Sequence, residues 1–337
     1  MLKWFFSFCL FLFCITPVQA IDFVGKSYVV MDSYNQTILS SQNEHHVQSV
    51  ASISKIMTAI VAIENADLND IYTIGEEVNK AWGSGVYIHI GDQISLRDLL
   101  YGLMLRSGND AANCIAKNVG GDIETFVSMM NEKAKQLQLN ETKFANPTGL
   151  DEEDAGNQSS AYDMARLMSY CSQNAIFNDI VSTQTYKRED GGGTWHNKNR
   201  LLEEYEYCVG GKTGFTKKAK RTLVTRAIKD DISLIIVTFN CGNDFEFHEK
   251  MYEECFEKYQ KILVLPKGIY QYNGHSFLID QDLYYCAKEK TTPTFQSVDD
   301  SLYVYISKDK IYEVKQETSL QTIMRYWLVL LGECFNG

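Results

Sequence analysis

Ser52 and Lys55 share the tetrad Ser52-Ile53-Ser54-Lys55, Ser107 and Asn109 flank one glycine in Ser107-Gly108-Asn109, and Lys212-Thr213-Gly214 follows downstream. A serine hydroxyl is a weak nucleophile until a neighbouring base takes its proton. Helical spacing puts Lys55 one turn beyond Ser52 on the same face, so Oγ and Nζ can meet. Lysine acts as a base only when neutral, a state favoured by burial and by a second cation. Lys212 is the candidate second cation, and Ala51 and Ala59 leave room around the seryl oxygen. Ser107 would relay a proton between either lysine and a leaving nitrogen. The Asn109 amide can donate to a substrate carbonyl while its oxygen accepts from Lys55. Lys212 and Thr213, on an edge strand, would bind a carboxylate by charge and hydroxyl. The strand backbone would hold an extended peptide by β-addition, and Gly214 removes bulk where that peptide lies. Together these residues support acyl transfer through a serine ester.

Each motif alone has a plainer explanation. Ser52 is a reasonable helix N-cap, Lys55 a solvated charge, and Ser-Gly-Asn a helix-breaking turn. Their order within one chain decides for chemistry. Rival chemistries lack their residues. The six histidines form no His-Glu-x-x-His, since Phe247-His248-Glu249-Lys250 lacks the second histidine. His196 has no Gly-x-Ser-x-Gly partner. The glycines form no phosphate loop, and neither a metal nor a cofactor is expected.

The chain opens Met1-Leu2-Lys3, then runs apolar from Trp4 to Ile15 and reaches Ala20 after Thr16-Pro17-Val18-Gln19. A positive start, a short apolar core and a small residue predict a secretory signal peptide over 1–20. At about twelve apolar residues the run is short for a membrane span. The location expected from it is extracytoplasmic. The net charge of −11 makes nucleic acid a poor partner, because phosphate neutralisation dominates such binding. Beyond the leader the cysteines are odd in number and sparse, with no Cys-x-x-Cys. No disulfide scaffold or zinc site is indicated, and most read as small buried apolar residues.

The elements that must position the motifs follow from periodicity. Ser27 to Asp32 and Thr37 to Ser40 read as strands. Ile53, Ile56, Met57, Ile60 and Val61 fall at helical spacing. Leu96 to Val119 reads as helix interrupted near Ser107-Gly108-Asn109. Ile123 to Leu139, Ala161 to Cys171 and Phe245 to Tyr259 also read as helices. Lys212 to Thr216, Thr222 to Ile228 and the β-branched run Ile232 to Phe239 read as strands. Helices around an antiparallel sheet predict an α+β domain over 21–265. A boundary is expected at Leu265-Pro266, followed by a small β-rich domain over 266–317. Leu320, Ile323, Met324, Trp327, Leu328 and Leu331 then form an amphipathic stripe in a C-terminal helix over 318–337. At 1.5 Å per residue that stripe is about 18 Å long, enough to lie on a membrane surface but not to cross one.

The wider pattern resembles the low-molecular-weight penicillin-binding proteins, the serine-type D-alanyl-D-alanine carboxypeptidases. The resemblance runs from about Val29 to about Phe239. It rests on Val50-Ala51-Ser52-Ile53-Ser54-Lys55-Ile56-Met57-Thr58-Ala59 and on the stretch from Asp98 through Ser107-Gly108-Asn109-Asp110-Ala111-Ala112. It also rests on Phe144-Ala145-Asn146-Pro147-Thr148-Gly149-Leu150, Ala161-Tyr162-Asp163-Met164-Ala165 and Gly211-Lys212-Thr213-Gly214-Phe215-Thr216. The family usually carries His where Thr148 and Asn157 stand and Gly where Lys220 stands. The resemblance implies a transpeptidase domain of the penicillin-binding-protein/β-lactamase type, an antiparallel sheet flanked by helices, with a small C-terminal β-rich domain. It implies an acyl-enzyme on Ser52 and an oxyanion hole from the backbone N–H groups of Ser52 and Phe215. The expected partners are peptidoglycan stem peptides ending in D-Ala-D-Ala and β-lactams as covalent inhibitors. C-terminal membrane anchors are common in that family. One alternative is a class A-like β-lactamase. Against it stand Ser-Gly-Asn in place of Ser-Asp-Asn, the missing Glu-x-x-Leu-Asn segment and the extra β domain. The other is a non-catalytic wall-binding protein on the same fold, against which the intact Ser52, Lys55, Ser107, Asn109 and Lys212 argue.

Overall fold

A computed structural model describes residues 23–316 apart from 152–155, 190, 290–291 and 307. The expected leader and C-terminal helix lie outside the described residues. At the centre is an antiparallel sheet of five strands. Strand β1 (Ser27–Asp32) pairs with β2 (Ile38–Gln42) on one side and with β5 (Ile232–Phe239) on the other. Strand β4 (Lys220–Lys229) joins β5 to β3 (Cys208–Thr216), so the order is β2-β1-β5-β4-β3 and the third motif lies on an edge. Side chains alternate across a strand, and both faces of this sheet are covered. Val29, Met31, Ile235 and Val237 enter one core, whereas Val30, Leu234 and Ile236 enter the other. Every residue of β5 is buried, which accounts for its unbroken apolar run.

The first core is helical. It is built from α1 (Lys55–Asn65), α2 (Leu96–Leu105), α3 (Asn109–Gly120), α4 (Ile123–Gln136), α5 (Ala161–Cys171) and α6 (Ala175–Ser182). Side-chain caps begin four of them, as unpaired N–H groups at a helix start require. Ser95 Oγ accepts from Asp98 N at 3.0 Å, Asp122 Oδ1 from Thr125 N at 2.7 Å, Ser160 Oγ from Asp163 N at 3.1 Å and Asn174 Oδ1 from Phe177 N at 3.0 Å. Between α2 and α3 the chain turns at Ser107, whose φ of 63° is uncommon for a residue with a side chain. The second face is covered by α7 (Asp244–Lys258), through Phe245, Phe247, Met251 and Tyr252.

The β-rich unit starts earlier than the expected boundary at Leu265-Pro266. Strand β6 (Gln260–Leu265) pairs with β9 (Leu283–Ala287). Pro266 therefore closes a strand of this unit, as befits a residue with no N–H to donate. Strand β7 (Gly268–Tyr272) pairs with β8 (His275–Ile279). Strand β10 (Thr294–Val298), not foreseen, pairs with β11 (Ser301–Ile306), and β11 with β12 (Asp309–Lys315). Leu265, Ile279, Leu283, Tyr285 and Val304 form its own core. The six described cysteines, Cys114, Cys171, Cys208, Cys241, Cys255 and Cys286, are all buried and free.

Candidate active site

The nucleophile segment is a tight turn wedged between the sheet and a loop. Ala51–Ser54 forms one 3₁₀ turn that runs into α1 at Lys55. Ala51 sits at φ 52°, so the turn must be held from outside. Thr222 Oγ1 on β4 donates to the Val50 carbonyl at 3.0 Å, and Val50 N donates to the Asn157 carbonyl at 3.2 Å. Behind the turn, Gly149 at φ 80° presses on it, and a Cβ there would strike the Ala51 carbonyl oxygen.

Lys55 is fully buried. Its Nζ donates to Ser52 Oγ at 3.1 Å, to Asn109 Oδ1 at 2.6 Å and to the Thr148 carbonyl. Three acceptors match the three donors of an ammonium group. Burial, above all, pushes this amine well below its ordinary range. The charges of Lys212 and Lys198 add to that, against an upward pull from Asp110. The Thr148 carbonyl is aimed by Asn146, whose Oδ1 accepts from Thr148 N, Thr148 Oγ1 and Gly149 N at 3.1, 2.9 and 2.8 Å. Asn157, buried where the family usually has His, ties down Ala145 and Asn146 through three hydrogen bonds. A short amide therefore replaces the imidazole and the loop stays pinned.

Ser107 lines the cleft, and Asn109 is buried just beyond it in sequence. Asn109 meets Lys55 as expected, but its Nδ2 donates to the Trp82 carbonyl at 2.5 Å, a partner the sequence did not suggest. Asn109 N also donates to the Ser84 carbonyl at 2.8 Å, and the Asp110 carboxylate accepts from Val86 N and Tyr87 N. The loop carrying Trp82 and Ser84 is thus fastened to the start of α3.

On the edge strand, Gly214 lies against the nucleophile. A Cβ at this position would come within 3.0 Å of Ser52 N, so glycine lets the strand backbone approach the turn. Phe215 follows and is exposed. Lys212 differs from expectation. It is 1 % exposed, and its Nζ donates to the Thr213 carbonyl at 2.8 Å. Burial, with a contribution from Lys198, lowers this amine to about 7. It sits beneath the strand and does not line the cleft expected to receive a carboxylate.

That cleft, of about 310 Å³, is walled by Ser52, Ser84, Ser107, Lys198, Thr213, Gly214, Phe215, Arg221 and Phe245. Lys198 and Arg221 were not foreseen. Lys198 is exposed, and its Nζ donates to Ser84 Oγ at 3.0 Å. Arg221 stands opposite Phe215 in the register of β3 and β4. It grips Asp244 through Nε–Oδ2 at 3.1 Å and Nη2–Oδ1 at 2.7 Å. The available signal was the hairpin itself, because the strand after the third motif must return beside it. Lys220, where the family usually has Gly, turns the chain at φ 60° in the left-handed region. A larger cleft of about 940 Å³, lined by Tyr34, Lys261 and Tyr284 among others, contains none of the motif residues. Among the described residues, no group of three or more His, Cys, Asp or Glu is placed to hold a metal ion.

The family described as D-alanyl-D-alanine carboxypeptidase matches residues 15–243, a stretch that contains all three motifs. The chain is 33% identical over 247 residues to the D-alanyl-D-alanine carboxypeptidase DacF of Bacillus subtilis, covering 70% of this chain and 63% of that protein. It is 31% identical over 217 residues to DacB2 of Mycobacterium tuberculosis, covering 64% of this chain and 74% of that one. The chain thus spans less than two thirds of the Bacillus relative. In three dimensions it is similar to penicillin binding protein 6B from Escherichia coli, with a TM-score of 0.72 and 26% identity over 88% of this chain and 96% of that one. With the motifs gathered around one cleft and the match covering residues 15–243, the chain belongs to the D-alanyl-D-alanine carboxypeptidase family, the low-molecular-weight penicillin-binding proteins.

Proposed function

We propose that the protein is a serine D-alanyl-D-alanine carboxypeptidase that trims the terminal D-alanine from peptidoglycan stem peptides through an acyl-enzyme on Ser52, and that β-lactams inhibit it. The observation that carries this reading is Ser52 Oγ at 3.1 Å from the Nζ of a buried lysine whose ammonium form is disfavoured. Neutral Lys55 takes the hydroxyl proton as Oγ attacks the penultimate carbonyl. The N–H groups of Ser52 and Phe215 stabilise the developing oxyanion, a contribution typically worth ~10²–10³ in rate. A proton passes through Ser107 to the leaving nitrogen and D-alanine departs. Water then hydrolyses the ester, with Lys55 again as base.

The β-lactamase alternative needs a carboxylate placed on the deacylating water. Asp151, the described member of the acidic cluster after Leu150, accepts instead from Ser49 Oγ at 2.6 Å. An opened β-lactam keeps its leaving amine tethered, so its ester should persist. Purified protein should release D-alanine from a stem-peptide analogue over many turnovers. It should consume roughly one equivalent of a chromogenic cephalosporin and then stall, as a trapped acyl-enzyme does. Ser52→Ala should remain folded and do neither. Sustained cephalosporin hydrolysis without D-alanine release would overturn the reading.

We further propose that residues 1–20 direct export and that the amphipathic stripe from Leu320 to Leu331 holds the protein at the outer face of the cytoplasmic membrane. The support is the sequence pattern. The acidic balance speaks against nucleic acid as a partner. A chain ending at Glu317 should leave the membrane fraction and keep its peptidase activity. Truncated protein that still sediments with membranes would end the anchoring proposal.

A further inference from the structure

A carboxypeptidase must tell a free terminal carboxylate from a blocked end. Lys212, the cation expected to do this, is buried beneath β3, bonded to the Thr213 carbonyl and absent from the wall of the cleft. Its position suits a different task, which is to bring positive charge near Lys55.

Two other cations do line the cleft beside Ser52 and Thr213, namely Lys198 and Arg221. We infer that Arg221 is the residue that recognises the substrate's terminal carboxylate, with Thr213 beside it. This assignment rests on the carboxypeptidase reading above and names how that site selects its substrate.

Three observations carry it. First, Arg221 is 43% exposed although its partner Asp244 is 3% exposed, so the pair reaches from the interior into the cleft. Second, Asp244 takes the Nε and Nη2 side of the guanidinium. A guanidinium has five N–H donors in a flat fork. The two on Nη1 and the second on Nη2 therefore remain for another carboxylate, in the end-on geometry that suits bidentate recognition. Third, the fork is already oriented. The buried carboxylate grips one side, and the Phe245 ring lies 5.4 Å from the guanidinium carbon. Holding the group in place before binding reduces the ordering that binding must impose. Arginine also keeps its charge at every working pH. Lys198 is a weaker candidate, because its amine is engaged with Ser84 Oγ and is disfavoured as a cation by desolvation and by Arg106.

The test compares two substrates in one preparation. One is a stem-peptide analogue ending in D-Ala-D-Ala with a free carboxylate, and the other is the same peptide ending in a carboxamide. The readout is the ratio of kcat/KM for acid over amide, so any loss of folded enzyme cancels. The native enzyme should favour the acid. Arg221→Gln should lower the ratio about tenfold or more, as expected for a lost charge-assisted hydrogen-bonded pair, mainly through a higher KM for the acid. Arg221→Lys should restore only part of it, because a point charge replaces a fork. Lys198→Gln should leave most of the preference in place. An unchanged ratio in Arg221→Gln that still turns over, or a ratio that collapses in Lys198→Gln instead, overturns the assignment and leaves the carboxypeptidase reading standing. A native enzyme that cleaves neither peptide removes that reading and the assignment with it.

Discussion

Asn157 offers a test of how Lys55 is held. Its side chain is 1 % exposed as part of a residue that accepts from Ala145 N at 2.7 Å and Asn146 N at 3.0 Å and donates to the Asn146 carbonyl at 2.9 Å. Asn157→Ala removes all three bonds and lets no protein group replace them. A buried hydrogen bond contributes about 0.5–1.5 kcal/mol net, so the expected loss is roughly 3 kcal/mol. The effect should also reach Ser52. The same loop carries the Thr148 carbonyl that accepts from Lys55, and its backbone conformation depends on the Asn146 peptide that Asn157 clamps. Urea unfolding followed by tryptophan fluorescence measures the first effect. The rate of acylation by labelled penicillin, taken far below the unfolding midpoint, measures the second. We expect acylation to slow by about tenfold, equivalent to about 1.4 kcal/mol of lost alignment, in protein that is still folded. A stability change below about 0.5 kcal/mol, or unaltered acylation in a clearly destabilised variant, would refute the link between this loop and the lysine.

His248 should make the fold acid-sensitive. It is fully buried between Thr225 Oγ1 at 2.7 Å and Thr238 Oγ1 at 2.9 Å, and burial pushes it down from 6.5 to about 3. The native ring stays neutral while the unfolded chain takes up a proton below about pH 6.5. Stability is therefore full above that pH and is lost as pH falls toward 3, by roughly 3 kcal/mol at pH 4.5. Urea midpoints at pH 7.5 and 4.5 should diverge less in His248→Gln, and equal divergence in both proteins would contradict this. Removing the charge in Lys212→Ala should raise the Lys55 amine toward its ordinary value, because Lys212 is among the groups that lower it. The acid limb of the pH–acylation profile should then move to higher pH, and an unmoved limb counts against Lys212 as an electrostatic neighbour. Gly214→Ala would place a methyl beside Ser52 N and against Thr222 Oγ1. Acylation should fall about 100-fold with a much smaller change in melting temperature, and a wild-type rate would show that the strand does not abut the reacting carbonyl.

The chemistry of this site was legible because serine, lysine and asparagine at fixed local spacings carry their meaning along the chain. Ser52 and Lys55 share a helical face, and the break at Ser107 follows from a residue that cannot continue α2 in the conformation it adopts. Strand Ile232–Phe239 and helix Ala161–Cys171 were likewise readable from apolar runs and period. What remained hidden depends on elements far apart in sequence. Whether Lys212 faces a cleft or a core is decided by which side of β3 the 3₁₀ turn and α6 occupy, and no local pattern encodes that. Arg221 became visible only through hairpin register and through Asp244 on α7. Strand Gln260–Leu265 was missed because Pro266 reads as a boundary when its neighbour Leu283–Ala287 is unknown.

The buried thiols bear on how long the molecule lasts. Burial pushes Cys114, Cys255 and Cys286 up to about 12, so essentially none is present as thiolate while the fold is closed. Each is therefore inert toward oxidants that act on thiolates. Unfolding ends that protection for all of them together, since an exposed cysteine returns to a pKa of about 8.5. In oxidising surroundings a chain held unfolded for the seconds to hours that disulfide formation takes would pair these thiols wrongly. Loss of the native state would then be a one-way event. Under those conditions the working lifetime would follow the height of the unfolding barrier more than the equilibrium stability. Reducing agent should make thermal inactivation partly reversible without changing the temperature at which it begins.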